Sequence, residues 1–311
     1  MKIYSEDKNL ERNIIIFGAG ASFGSDSSGT PPLGIDLFDA LYKFNPDGWG
    51  KIDDKFSKTF HEDFEEGVLS YSERYPHSLP PLQRAMAAFF FNFEPGPKNL
   101  YIELADKIKQ IEWKGALVSL NYERLLELSL ISSGIRPIIG KKAEIDNEIE
   151  LCLPHGCCHL FCESVRATAR EVSFSGQNVS TSGKIKVIDS TNDFNARISN
   201  DAFPPVMSYF DHAKRTTSGA NFIEGQRKRY SELVIGASKI GIVGLKVRPH
   251  DTHIWNFLSK TDAKIIYCSG NSSGKEFKNW ADETRSKKEN IILHKYFSDA
   301  IDNLCNLLEI E

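Results

Sequence analysis

The chain has 311 residues, 41% of them hydrophobic, enough for one large domain with insertions or two small ones, so disorder is not its expected resting state. Lys and Arg number 38 against 42 Asp and Glu, a formal charge of -4, and no basic block follows a phosphate backbone, so direct nucleic-acid binding is not expected. The charged start, Met1 to Arg12, and the short apolar run after it offer neither a secretory leader nor a membrane span, and a cytoplasmic location is expected.

In chain order, Asn13–Phe17 is a β-branched apolar run ending in glycine, the pattern of a strand buried on both faces and entering a tight turn. Helical spacing follows, predicting helices near Leu33–Lys43, Ile52–Tyr75, Leu82–Phe93 and Leu100–Ile111, and residues 45–110 read as a helical insertion. Ala116–Leu120 is a second buried strand feeding a helix over Tyr122–Ser132, and Ile149–Leu153 a third, running into Pro154, His155 and Gly156. Residues 163–220 are rich in Ser, Thr, Asn and Gly, with a strand-like piece at Lys184–Ile188, and read as a second, irregular insertion. Then come a helix near Phe222–Ser238, the strand Lys239–Gly244, a helix near Thr252–Ser259, the strand Lys264–Cys268, a helix near Lys275–Ser286, the strand Asn290–His294 and a last helix to Leu308. Short alternating units predict the α/β class: a doubly wound, Rossmann-like parallel sheet covered on both faces, one domain over 1–311 with both insertions inside it.

In such a sheet ligands bind outside the carboxyl ends of the strands. Reading past each strand gives Gly18, Ala19, Gly20, Ala21 and Ser22, then Asn121, His155 with Gly156, Gly244, and Gly270 with Asn271, none of them expected to be needed for packing. The glycine loop lets backbone approach a pyrophosphate. It departs from the dehydrogenase pattern, because its third glycine, Gly24, comes one residue late and the acidic residue expected about 20 positions on, at the end of an adjacent second strand, has no clear counterpart, so hydride transfer loses ground. Asn121 has a plain alternative as N-cap of the next helix, and His155 as a satisfied core histidine. Cys152, Cys157, Cys158, Cys162 and His159 are potential zinc ligands, but no C-x-x-C pair exists and adjacent cysteines in extended chain point apart, so buried free thiols and no metal are expected. His250 and His253 offer another metal pair, with helix capping at Pro249–Asp251 as the better reading. Gly270–Lys275 imitates a P-loop but is one residue short and has Glu276 where a hydroxyl should hold magnesium.

The order of these motifs resembles the sirtuin-like superfamily, and within it the bacterial branch of NAD-hydrolysing defence proteins more than the protein deacylases. A G-A-G-x-S loop at Gly18–Ser22 precedes an S-G-x-P stretch at Ser28–Pro31; Leu120-Asn-Tyr-Glu123 is similar to that branch's T-N-Y-D; Pro154-His-Gly156 supplies its histidine-glycine pair; and Pro249-His-Asp251 follows a strand ending at Gly244. Glu123 departs from the usual aspartate, and Leu245-Lys246 from the small hydroxylated residues common after the glycine.

The resemblance implies NAD as substrate, cleaved to nicotinamide and ADP-ribose, with Asn121 and His155 catalytic. Gly18 to Ser22 would hold the pyrophosphate, Thr30 and Gly244 would lie along the dinucleotide, and Asn271 would meet the adenosine ribose. It also implies anti-phage defence, homo-oligomers, and control by a partner such as a ring-forming ATPase or an Argonaute-like protein. An NAD-dependent deacylase and a non-catalytic NAD or ADP-ribose sensor are the alternatives.

Overall fold

The structure, a computed structural model, describes residues 12–27, 29–163, 181–208, 218–248 and 251–310. Its strands are β1 (Arg12–Phe17), β2 (Ala116–Ser119), β3 (Arg136–Ile139), β4 (Glu148–Cys152), β5 (Leu160–Cys162), β6 (Ile185–Val187), β7 (Ala237–Val243), β8 (Lys264–Cys268) and β9 (Asn290–Leu293). Seven form one sheet in the order β3-β4-β2-β1-β7-β8-β9, parallel at every pairing, while β5 and β6 make a separate antiparallel pair. This is the doubly wound α/β architecture the alternation of elements predicts.

β1 explains why the sheet is assembled this way. Ile14 to Phe17 are all fully buried; Ile15 and Phe17 belong to the core on one face, Ile14 and Ile16 to the core on the other. An unbroken apolar run is what a central strand with helices on both sides requires. From β1 the chain winds one way to β2, β3 and β4, then restarts on the other side at β7. The crevice where the two directions part, between the ends of β1 and β7, is where such folds bind ligands.

Three expectations need correction. The edge strand β3 escaped the sequence reading, because a four-residue run containing Pro137 reads as an interruption, although an edge tolerates proline. The single helix expected over 52–75 is two, Asp54–Glu62 and Phe64–Arg74, divided at Asp63, whose carboxylate accepts the N–H groups of Glu65 and Glu66 at 2.8 and 3.2 Å. The second insertion has β6 where the strand-like piece at Lys184–Ile188 is expected, but it also holds a helix that its composition does not suggest, Thr191–Asn200, whose Phe194 stacks on Phe91 at 3.7 Å.

The helical insertion is fixed to the rest of the domain by aromatic packing. Phe38 of the helix Gly34–Phe44 stacks on Phe60 at 4.6 Å, Tyr101 meets Phe17 of β1 edge-on at 5.3 Å, and inside the insertion Trp49 stacks on Phe64 at 5.7 Å. Among the described residues no helix is long and apolar enough to cross a membrane.

Candidate functional site

A cavity of about 920 Å³ opens at the carboxyl ends of the central strands, lined by Gly18, Gly20, Asn121, His155 and Gly244 from the sheet and by Phe64 and Glu65 from the helical insertion. That volume lies at the large end for small-molecule sites.

The glycines are there for packing, contrary to the sequence reading. Gly18 and Gly20 donate their N–H groups to the carbonyls of Val243 and Gly244, both at 2.9 Å. A Cβ on Gly18 would lie 2.7 Å from the Gly244 carbonyl oxygen. Gly244 itself has φ of +62°, and a Cβ there would sit 2.0 Å from the Ala21 nitrogen. Two loops thus touch backbone to backbone across the switch point, which any side chain would prevent. Because Ala21 also donates its N–H to the Gly18 carbonyl, three N–H groups of this turn are engaged within the protein.

Ser22 faces inward. Its Oγ donates to Glu123 Oε1 at 2.6 Å and accepts from Asn121 Nδ2 at 2.8 Å. With its proton committed to the carboxylate, the contact with Tyr101 at 2.9 Å has the tyrosine hydroxyl as donor. Asn121 Nδ2 also donates to the Gly18 carbonyl at 3.2 Å, so the NH₂ end of this amide is held by the protein. Burial pushes the Glu123 carboxyl up from its ordinary value, partly offset by the hydrogen bonds it accepts from Ser22 and the Leu125 N–H and by the nearby Asn121 amide. Burial likewise raises Tyr101. Asn121 caps no helix: the helix begins at Leu125, four residues later, with Arg124 at the N-cap position.

His155 lies at the end of β4, 6% exposed, with its ring stacked near Tyr122. Its Nδ1 is 3.1 Å from the Leu120 carbonyl, and since a carbonyl only accepts, Nδ1 carries the proton. The basic lone pair of the neutral ring is therefore on Nε2, which meets His253 Nε2 at 2.8 Å, so His253 is the donor there. His253 sits in the first turn of the helix Thr252–Lys260, and the sequence offered it only as a metal ligand beside His250, which falls outside the described residues, as does Pro249. Asp251 takes the N-cap position of that helix without a side-chain capping bond.

The other sequence candidates divide. Ala19 lines the cavity and Ala21 packs into the core. Thr30 donates its hydroxyl to the Phe23 carbonyl at 3.0 Å, while Pro31 and Pro32 beside it line the cavity; Ser28 lies outside the described residues. Asn271 is exposed at the first position of the helix Asn271–Thr284, which starts four residues before the predicted one, and Ser272 and Ser273 of that turn line the cavity in its place. The insertion side contributes residues no motif signalled: Glu65, paired with Arg248 at 2.6 Å, closes one wall.

None of the six cysteines is in a disulfide. The expected divergence of Cys157 and Cys158 fails because the chain turns here, Leu160 donating to the Cys157 carbonyl at 3.2 Å. Both sulfurs and a ring nitrogen of His159 lie within 4.8 Å of one another. Beside them burial pushes the Glu127 carboxyl up to about 8, and burial together with Arg124 pushes His159 down to about 3.

No protein-family model matches the chain, and no curated protein matches it. Solved structures similar to it include a mutant Sir2 homologue with ADP-ribose (12% identity, 97% of this chain and 93% of that one, TM-score 0.48) and Sir2 bound to an acetylated peptide (12%, 96% and 94%, 0.47). A Sir2 homologue–NAD complex is 14% identical over 97% of this chain and 91% of that one, with a TM-score of 0.42.

Proposed function

We propose that the chain binds NAD at this rim and hydrolyses it to nicotinamide and ADP-ribose. One observation carries the reading: Asn121 and His155, 34 positions apart in the sequence, line the same cavity as the glycine loop at the switch point of the sheet. Dinucleotide cleavage needs that convergence. The nicotinamide leaves as a neutral group from a cationic ring, so no strong acid is required, and holding sugar and water in line is the larger task.

In this reading water forms the new bond to the ribose C1′ as the bond to nicotinamide breaks, and the proton lost from water passes to His155 Nε2. Leu120 fixes the tautomer that makes Nε2 the base, and His253 must turn aside before Nε2 can accept. The Asn121 NH₂ is held by Ser22 and Gly18, so its Oδ1 is the end that orients the water or a ribose hydroxyl. With the N–H groups of Gly18, Gly20 and Ala21 engaged, the pyrophosphate is met by the rest of the rim, including Ser272 and Ser273. A role in anti-phage defence, cytoplasmic and switched by self-assembly or by a ring-forming ATPase or Argonaute-like partner, belongs to the same proposal and rests on the order of the sequence motifs.

Deacylation is the second reading. The wall formed by Phe64, Leu245, Ile254 and Trp255 is apolar and would accept an acyl chain beside the sugar. The deciding experiment incubates purified protein with NAD, with and without an acyl-lysine peptide, and measures nicotinamide. Release without peptide supports hydrolysis; release only with peptide supports deacylation; tight NAD binding with no release in either case overturns both and leaves a sensor.

A further inference from the structure

We propose that Cys157, Cys158 and His159 form a binding site for one divalent cation of zinc type, with Glu127 holding the histidine ring, set between the loop that carries Asn121 and the loop that carries His155. The proposal is independent of what the cavity binds.

Two segments far apart in sequence deliver the groups. Glu127 comes from the first turn of the helix Leu125–Ser132 after β2, and the three consecutive residues from the turn that follows β4. Bond lengths of about 2.3 Å to sulfur and about 2.0 Å to nitrogen or oxygen place neighbouring ligands of a tetrahedral zinc about 3.5 Å apart. Here His159 Nδ1 is 3.2 Å from Cys157 Sγ, and Glu127 Oε2 is 3.6 Å from the same sulfur. Cys158 Sγ lies within the 4.8 Å group. The three ligand atoms are thus close enough to share one ion, two soft donors and one harder, with the fourth tetrahedral position left for water, as zinc takes them.

The surroundings fit a metal as well. Glu127 Oε1 lies 3.5 Å from His159 Nε2, on the side of the ring away from the sulfurs, where a carboxylate fixes the orientation of a ligating imidazole. Two thiolates and a carboxylate around a divalent cation leave one negative charge. Arg124, buried in the loop just before the helix of Glu127 and 3.9 Å from the exposed Asp189, is the cation nearest in sequence to offset it. Cys157 donates its S–H to the carbonyls of Tyr122 and Glu123 at 3.2 and 3.5 Å, a proton the ion would displace, and through Glu127 on His159 the ion would link the helix after β2 to the turn after His155. It would hold the two candidate catalytic residues in register without touching substrate.

The test uses the full chain, purified without chelator from zinc-replete and from cobalt-supplemented cultures. We expect about one zinc per chain by elemental analysis, and in the cobalt form an intense thiolate-to-cobalt band with the visible bands of tetrahedral cobalt. Cys157→Ser with Cys158→Ser should lose metal and bands together, while Cys268→Ser should keep both. Folded wild type with under about 0.1 metal per chain and no thiolate band overturns the site, as do bands that survive in the double variant. Should that variant fail to fold, zinc-edge absorption of the wild type decides: two sulfur and two lighter ligands support the site, and any other set overturns it.

Discussion

The two walls of the cavity are held in different ways. The sheet wall, Gly18 to Ser22 with Asn121, Glu123 and Gly244, is fixed by backbone packing and by a buried network in which every proton of Ser22, Tyr101 and Asn121 has an assigned direction. The insertion wall meets it across the cavity through the pair Glu65–Arg248, whose arginine is 34% exposed. Interactions of the first kind set geometry to fractions of an ångström; a partly exposed ion pair contributes about 1 kcal/mol or less. On the proposed function, chemistry would belong to the sheet wall and access to the other.

The largest effect should come from breaking the backbone contact. Gly244→Ala forces a Cβ to 2.0 Å from the Ala21 nitrogen at a φ of +62°, and urea unfolding should show a loss of about 3 kcal/mol or more. Stability within about 0.5 kcal/mol of wild type would mean the loops are not packed as described. Next, His155→Ala should lower nicotinamide release at least about 100-fold, as expected for removing a general base. Asn121→Ala should lower kcat about 10-fold or more and, by leaving buried groups without their donor, also lower stability by about 1–2 kcal/mol. Full turnover in either variant would separate these residues from the reaction, and an Asn121→Ala protein of unchanged stability would show the network does not brace the wall.

That difference between walls also sets what the sequence could reveal. Short apolar runs such as Ile14–Phe17 announce buried strands because period and burial act within five residues, and small residues just past them mark the strand ends. The rim could therefore be read, but not the purpose of its glycines: Gly18 and Gly244 serve each other, 226 positions apart, and local pattern carries no record of that. Tyr101 lay inside a helix whose spacing explained it fully. His253 gave a signal, but its partner is His155 on another loop rather than its sequence neighbour. At Cys157–His159 the chain reverses, and residue types alone do not distinguish that turn from the extended chain in which neighbouring side chains point apart.

The smallest effect is the sharpest test of the division. Arg248→Met removes the charge pair yet keeps an unbranched stem along the wall, so the fold should change by about 1 kcal/mol or less. If the insertion wall governs access, the variant should bind NAD more loosely, raising KM about threefold with kcat within a factor of about two, the pattern of lost uniform binding. Glu65→Gln should do the same, and the two changes combined should add nothing, because either one already opens the contact. A drop in kcat matching that of Asn121→Ala would instead place the ion pair within the reacting geometry, and the two walls would have to be regarded as one.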